Sequence, residues 1–95
     1  MSRPNHIDTL YDKAFAHTNL GEWDEADNCY DEILKIDPNQ ARVIGDKGVV
    51  QASKGNYTEA LDFFNKALKI ESKNQRILKN REFALEKLKA SSLKR

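Results

Sequence analysis

One spacing constrains this chain more than any other feature: Leu10 recurs as Ile44 and again as Leu78, 34 residues apart each time. Pro4-Asn5 returns as Pro38-Asn39 and, degraded, as Ser72-Lys73-Asn74, while Lys13-Ala14 returns as Lys47-Gly48. Gly21-Glu22-Trp23-Asp24-Glu25-Ala26 aligns with Gly55-Asn56-Tyr57-Thr58-Glu59-Ala60. Tyr30-Asp31-Glu32-Ile33-Leu34-Lys35-Ile36 aligns with Phe64-Asn65-Lys66-Ala67-Leu68-Lys69-Ile70. A period of this length means that one supersecondary unit, unable to bury its apolar face alone, is stacked on copies of itself.

Each unit reads as two helices. Apolar residues recur at helical spacing in both halves, and Gly21 and Gly55 stand where one helix must stop and the chain must turn. The spacing predicts helices over residues 6–20, 23–36, 40–53, 57–70 and 74–90, with no strand, hence an all-α fold. Helices of some 14 residues are about 21 Å long, and short turns make neighbours antiparallel. Pro38 follows the second helix because proline cannot continue it. Asp24 and Thr58 are expected to supply side-chain oxygens near the starts of the second and fourth helices, where backbone N–H groups lack partners.

The unit resembles the tetratricopeptide repeat. That pattern has a small residue midway along helix A, a turn glycine, an aromatic opening helix B, an alanine three residues on, a further aromatic and a closing proline. Here those places hold Ala14 and Gly48, Gly21 and Gly55, Trp23 and Tyr57, Ala26 and Ala60, Tyr30 and Phe64, then Pro38. The resemblance implies a right-handed α-α superhelix of two helix-turn-helix units, 7–40 and 41–74, with a capping helix over 75–90. The whole forms one domain over 6–90 between an N-terminal tail, 1–5, and a basic tail, 91–95. Ala14 is expected to face Ala26 and Gly48 to face Ala60, with Tyr30 and Phe64 filling the space between one pair and the next. Lys13 and Lys47 stand where the family usually has leucine; their stems are expected along apolar surface with the ammonium groups in water. Gln51 and His17 replace larger apolar residues, and Ser72 replaces the second proline. In the cap, Leu78, Leu85 and Leu88 form the expected apolar stripe, and Phe83 is expected to be exposed.

Ninety-five residues make one small domain, and the single Cys29 excludes an internal disulfide. Cys29 aligns with Phe63, so a half-buried structural thiol is expected there. No apolar run is long enough to span a membrane or to form a secretory leader, which points to a cytoplasmic protein. No phosphate-binding loop, nucleophile elbow or metal-ligand spacing occurs, so neither an enzyme nor a cofactor is expected. His6 and His17 are too far apart to share a metal, and His17 reads as a packing residue. Asn56-Tyr57-Thr58 has the form of a glycosylation acceptor but reads as a turn. Acidic neighbours such as Asp31 and Glu32 read as solvated surface.

In the resembling family the A helices line a concave side that receives an extended peptide or a partner helix. The lining implied here is Tyr11, Asp12 and Phe15, with Asp8 and Thr18 beside them; then Arg42, Asp46 and Val49, with Ser53; then Arg76, Lys79, Asn80 and Phe83. Apolar floor and mixed charge suit a protein or peptide partner of mixed character. The family's clamp for chaperone C-terminal tails falls on Tyr11, Phe15, Asp46, Arg76 and Asn80. Only Arg76 fits, and Asp46 would repel a carboxylate, so a chaperone tail is not the expected ligand. Phe15→Ala and Arg76→Ala are each expected to weaken a complex while leaving the fold intact.

Charge opens two alternatives. Residues 1–40 carry 3 basic and 9 acidic side chains, and residues 41–95 carry 13 basic and 6 acidic ones. Opposite ends could drive self-association, with the C-terminal helix forming a homodimer. Residues 73–95, with 8 basic and 2 acidic side chains, could bind nucleic acid or an acidic surface, although Phe83 is the only aromatic there to stack on a base.

Overall fold

The computed structural model describes residues 6–93. Five helices follow in order: α1 His6–Asn19, α2 Trp23–Ile36, α3 Ala41–Ser53, α4 Tyr57–Ile70 and α5 Gln75–Leu93. No strand occurs among the described residues. The tail over 1–5 and the Pro4-Asn5 echo lie outside them, as do Lys94 and Arg95. The last helix runs on to Leu93, past the expected end at 90 and into the segment read as a tail.

Two helical hairpins, α1–α2 and α3–α4, stack side by side, and α5 packs on α4 and α3. Gly21 and Gly55 adopt φ of +75° and +85°, the left-handed turn that a side chain resists. Each turn closes the same way: the Glu22 N–H donates to the His17 carbonyl at 2.9 Å, and the Asn56 N–H to the Gln51 carbonyl at 2.8 Å. The expected caps from Asp24 and Thr58 do not form; the capping positions are Glu22 and Asn56, and neither makes a side-chain cap bond. Asn74 does cap α5, its Oδ1 accepting the Ile77 N–H at 3.0 Å.

α3 is the keystone. One of its faces gives Val43 and Val50 to a core with Leu10, Ala14, Ala26, Tyr30 and Ile33. The opposite face gives Ala41 and Ile44 to a second core with Ala60, Phe64, Ala67, Ile77 and Ala84. A helix buried on two sides cannot be cleanly amphipathic, which explains its run of buried residues from Val43 to Gly48. Tyr30 and Phe64 thus bridge each hairpin to the next helix as expected.

Three packing expectations are sharpened or corrected. Gly48 is pressed by the Phe64 ring: a Cβ there would lie 2.5 Å from Phe64 Cε1, closer than any atom of Ala60. In α5 the buried positions are Ile77 and Ala84, while Leu78 and Leu88 are half-buried and Leu85 is 46% exposed. The register is set by Gly45, which has no side chain and admits Ile77 close to α3.

Lys47 is the third. Its side chain is only 9% exposed, and its ammonium lies between Asp27 and Asp31 of α2 instead of in water. Nζ donates to Asp31 Oδ1. Asp27 Oδ1 is 3.2 Å away; it is buried and has no hydrogen-bond partner, so the charge of the ammonium alone compensates it. Asp31, read as solvated surface, is a structural counter-ion locking the second hairpin onto the first. Lys13, its repeat equivalent, is exposed.

Candidate functional site

α1, α3 and α5 are joined across one face by a single carboxylate. The Tyr11 hydroxyl of α1 donates to Asp46 Oδ2 at 2.6 Å, and Arg76 Nη2 of α5 donates to Asp46 Oδ1 at 2.6 Å. The Asp46 side chain, on α3, is 6% exposed. Both of its oxygens are satisfied by groups 35 and 30 residues away in sequence, which offsets the cost of burying the charge. The Arg42 guanidinium sits 4.5 Å from the Tyr11 ring centre, and Tyr11 meets Tyr30 edge-on at 6.1 Å.

The electrostatics follow from this clasp. Burial, the hydrogen bond to Asp46 and the charge of Asp46 push the Tyr11 phenol up to about 12, with Arg42 pulling the other way. Burial works against the charge on Arg76, but the Asp46 carboxylate outweighs it and holds the guanidinium above its ordinary value. Burial also pushes the Tyr30 phenol up.

On either side of the clasp the face opens into a hollow. The first, about 640 Å³, lies between α1 and α3 and is lined by Ile7, Asp8, Tyr11, Asp12, Phe15, Gln40, Arg42 and Val43. The second, about 360 Å³, is lined by Val49, Ala52 and Ser53 of α3, Tyr57 and Phe64 of α4, and Asn80 and Phe83 of α5. Phe15 is 57% exposed and Phe83 50% exposed. Phe83 is nonetheless oriented: Tyr57 meets its ring edge-on at 6.3 Å, and Lys87 Nζ lies 5.4 Å from its centre.

The structure therefore sorts the expected lining residues into three sets. Tyr11, Asp12, Phe15 and Arg42 line the first hollow; Val49, Asn80 and Phe83 line the second; Asp46 and Arg76 form the clasp between them. Lys79 is exposed and lines neither hollow. Thr18 turns its hydroxyl back onto the Ala14 carbonyl at 2.8 Å. Tyr57, Phe64 and Ala52 in the second hollow, and Ile7, Gln40 and Val43 in the first, are lining residues outside the expected set. Tyr57 carried a signal, since an aromatic opening helix B lies at the same end of the hairpin as Ser53.

Elsewhere, His17 is half-buried beside the first turn, with Nδ1 2.8 Å from Glu22 Oε1. Cys29 is half-buried and burial pushes its thiol up, against Lys13, which disfavours the reactive thiolate.

Comparison with known proteins gives one family. The model described as Tetratricopeptide repeat matches residues 6–73, from the start of α1 through α4 and into the turn that follows. A search of curated proteins finds no match. Matched over more than half its length, by a model that spans both hairpins with their left-handed glycine turns, the chain belongs to the tetratricopeptide repeat family.

Proposed function

We propose that this chain is a non-enzymatic adaptor that binds a peptide or helix of a partner protein along the face formed by α1, α3 and α5. Protein binding is the general role of its family. The observation that carries the reading is the pair of half-exposed phenylalanines, Phe15 and Phe83, each at the rim of a hollow on the same face and flanking one buried carboxylate clasp. Large apolar side chains exposed beside concavities are the usual anchors of an interface. With Asp46 already holding Arg76, that guanidinium is half spent, which adds to the case against a chaperone C-terminal tail.

The test is capture of partners on wild-type protein and on Phe15→Ala and Phe83→Ala variants whose circular dichroism matches wild type. Partners retained by wild type and lost by either variant support the assignment; partners retained equally by all three refute it. Arg76→Ala is a poorer probe than its sequence suggests. It strips Asp46 of its cation, and a lower melting temperature would accompany any loss of binding.

Self-association is the second reading, favoured by Leu85 exposed on α5 and by the separation of acidic α2, in the first hairpin, from basic α5, at the far end of the stack. Sedimentation at low and high salt separates the two, since a monomer at high concentration removes self-association. Among the described residues no helix is long and apolar enough to cross a membrane, and we place the adaptor in the cytoplasm. Its repeats are assigned to 7–40 and 41–74, with α5 as the cap.

A further inference from the structure

α5 has two flanks beside its buried line, and only one of them belongs to the recognition face. Ile77 and Ala84 lie in the second core. Phe83 precedes Ala84 by one residue and is turned about 100° from it, toward the second hollow; Leu78 and Leu85 follow Ile77 and Ala84 by one residue and are turned about 100° the other way. Leu88 continues that second flank. Leu85 is 46% exposed, and Leu78 and Leu88 are half-buried. In the first two units the same side of the first helix is covered by the unit's own second helix: Leu10 shares a core with Ala26 and Tyr30 of α2, and Ile44 with Ala60 and Phe64 of α4. Among the described residues no second helix follows α5 to cover Leu78, their equivalent. We infer that a second copy of this chain covers this flank, the two α5 helices pairing antiparallel about a two-fold axis. This rests on the self-association reading above and narrows it, and it leaves the recognition face open on both copies.

Charge along the margin of the leucine stripe selects that occupant. Glu82 and Lys89 are seven residues apart, so they stand on one line along the outer edge of the stripe. Both are exposed, and neither is in an ion pair among the described residues. Turned end for end about an axis between Leu85 and Glu86, the stripe meets itself. Leu85 then touches Leu85 of the second copy with Leu88 beside it, and Glu82 comes level with Lys89 of the second copy, each lying about 5 Å along its helix from the axis. A two-fold axis makes every such contact twice, so one stripe supplies both an apolar seam and two ion pairs. A partner of one charge sign would satisfy Glu82 or Lys89 and be repelled by the other, whereas an antiparallel copy answers both. The leucines supply most of the attraction, and the ion pairs, exposed at the margin, set the register more than the strength. An interface of one helix pair is small, so the dimer is weak and forms at high protein concentration. Two recognition faces on one assembly would hold a partner with two binding segments more tightly than either face alone.

Sedimentation equilibrium of the full chain over a concentration series, on wild type and charge-swapped variants, tests this. Wild type is expected to pass from monomer to dimer and no further. Leu85→Ser should remove the dimer and, at so exposed a position, leave the circular dichroism unchanged. Glu82→Lys and Lys89→Glu each turn two attractive contacts into two repulsive ones and should weaken the dimer about tenfold. The double variant, and an equimolar mixture of the two single variants, should return to wild-type affinity, because each pair is then opposite in sign again. Lys79→Glu makes the same change in net charge as Lys89→Glu but on the other side of α5, and should leave the dimer as it is. A dimer indifferent to Leu85→Ser, or assemblies that grow beyond two copies, would overturn this pairing and leave self-association standing. Single swaps that the double variant does not repair would overturn the antiparallel register. A monomer at the highest soluble concentration would overturn both the pairing and the self-association reading, with the adaptor face untouched.

Discussion

Gly48→Ala should destabilise the protein even though alanine is the better helix former. Gly48 lies inside α3 with an ordinary helical backbone, so the exchange by itself favours folding by about 1 kcal/mol. The new Cβ would sit 2.5, 2.7 and 3.0 Å from Cε1, Cδ1 and Cζ of Phe64. Carbon atoms pack comfortably at about 3.5–4.0 Å, so the ring or the helix must move by about 1 Å. Phe64 is 1% exposed and walled in by Ala41, Ile44, Ala60 and Ile77, which leaves it nowhere to go. Overpacking of this kind costs about 1–3 kcal/mol, and a ring with no free end belongs near the top of that range. The net is a loss of about 1–2 kcal/mol, or about 5–15 °C in melting temperature for a domain of this size. Gly45→Ala, one turn earlier, is the control. Its Cβ would meet only the buried Ile77 side chain, at 3.2 and 3.3 Å, a crowding of a few tenths of an ångström that the gain of about 1 kcal/mol in helix propensity offsets, so its stability should stay near wild type. Urea denaturation followed by far-UV circular dichroism gives both values. A Gly48→Ala protein as stable as wild type would refute the close packing of α3 on α4. Phe64→Leu should relieve the clash, so the double mutant should lose less than the two single losses added together.

Other outcomes follow from the clasps. Tyr11→Phe removes a hydrogen bond to an ionised, buried acceptor and should cost about 1.5–3 kcal/mol near neutral pH. The Tyr11 phenol is raised in the fold from 10.0 to about 12, so its contribution is intact below pH 10 and is lost as pH climbs to about 12. The gap in urea midpoint between wild type and Tyr11→Phe should therefore narrow across that interval; a constant gap would remove the bond from the account. Lys47→Met keeps the stem but leaves Asp27 beside no cation. With Asp27 and Asp31 both partly open to solvent, a loss of about 1–2 kcal/mol is expected in thermal melts, and an unchanged melting temperature would show that the lysine acts only through its stem.

The repeat made the helices legible, because a period fixes elements that single residues leave ambiguous: all five starts fell within one residue, and both turn glycines were where the left-handed backbone occurs. What the sequence hid were pairings across repeats. Lys47 reads as a solvated lysine until Asp27 and Asp31 are brought beside it, and their spacing of four residues on α2, which puts both on one face, was the only local signal. Tyr11, Asp46 and Arg76 were each assigned to the open face, yet nothing in one dimension shows that they bind one another and so divide the face into two hollows. The α5 register misled for a similar reason: leucines at 78, 85 and 88 look like the stripe, but the space left by Gly45 favours Ile77.

The claim that α1, α3 and α5 together form the recognition surface is tested most directly by mapping backbone amide chemical shifts of the full chain as a captured peptide is titrated in. The account predicts that shifts concentrate on Phe15, Val49, Asn80, Phe83 and their neighbours around the two hollows, with the outer faces of α2 and α4 silent. Shifts confined to those outer faces, with the two hollows unmoved, would contradict it.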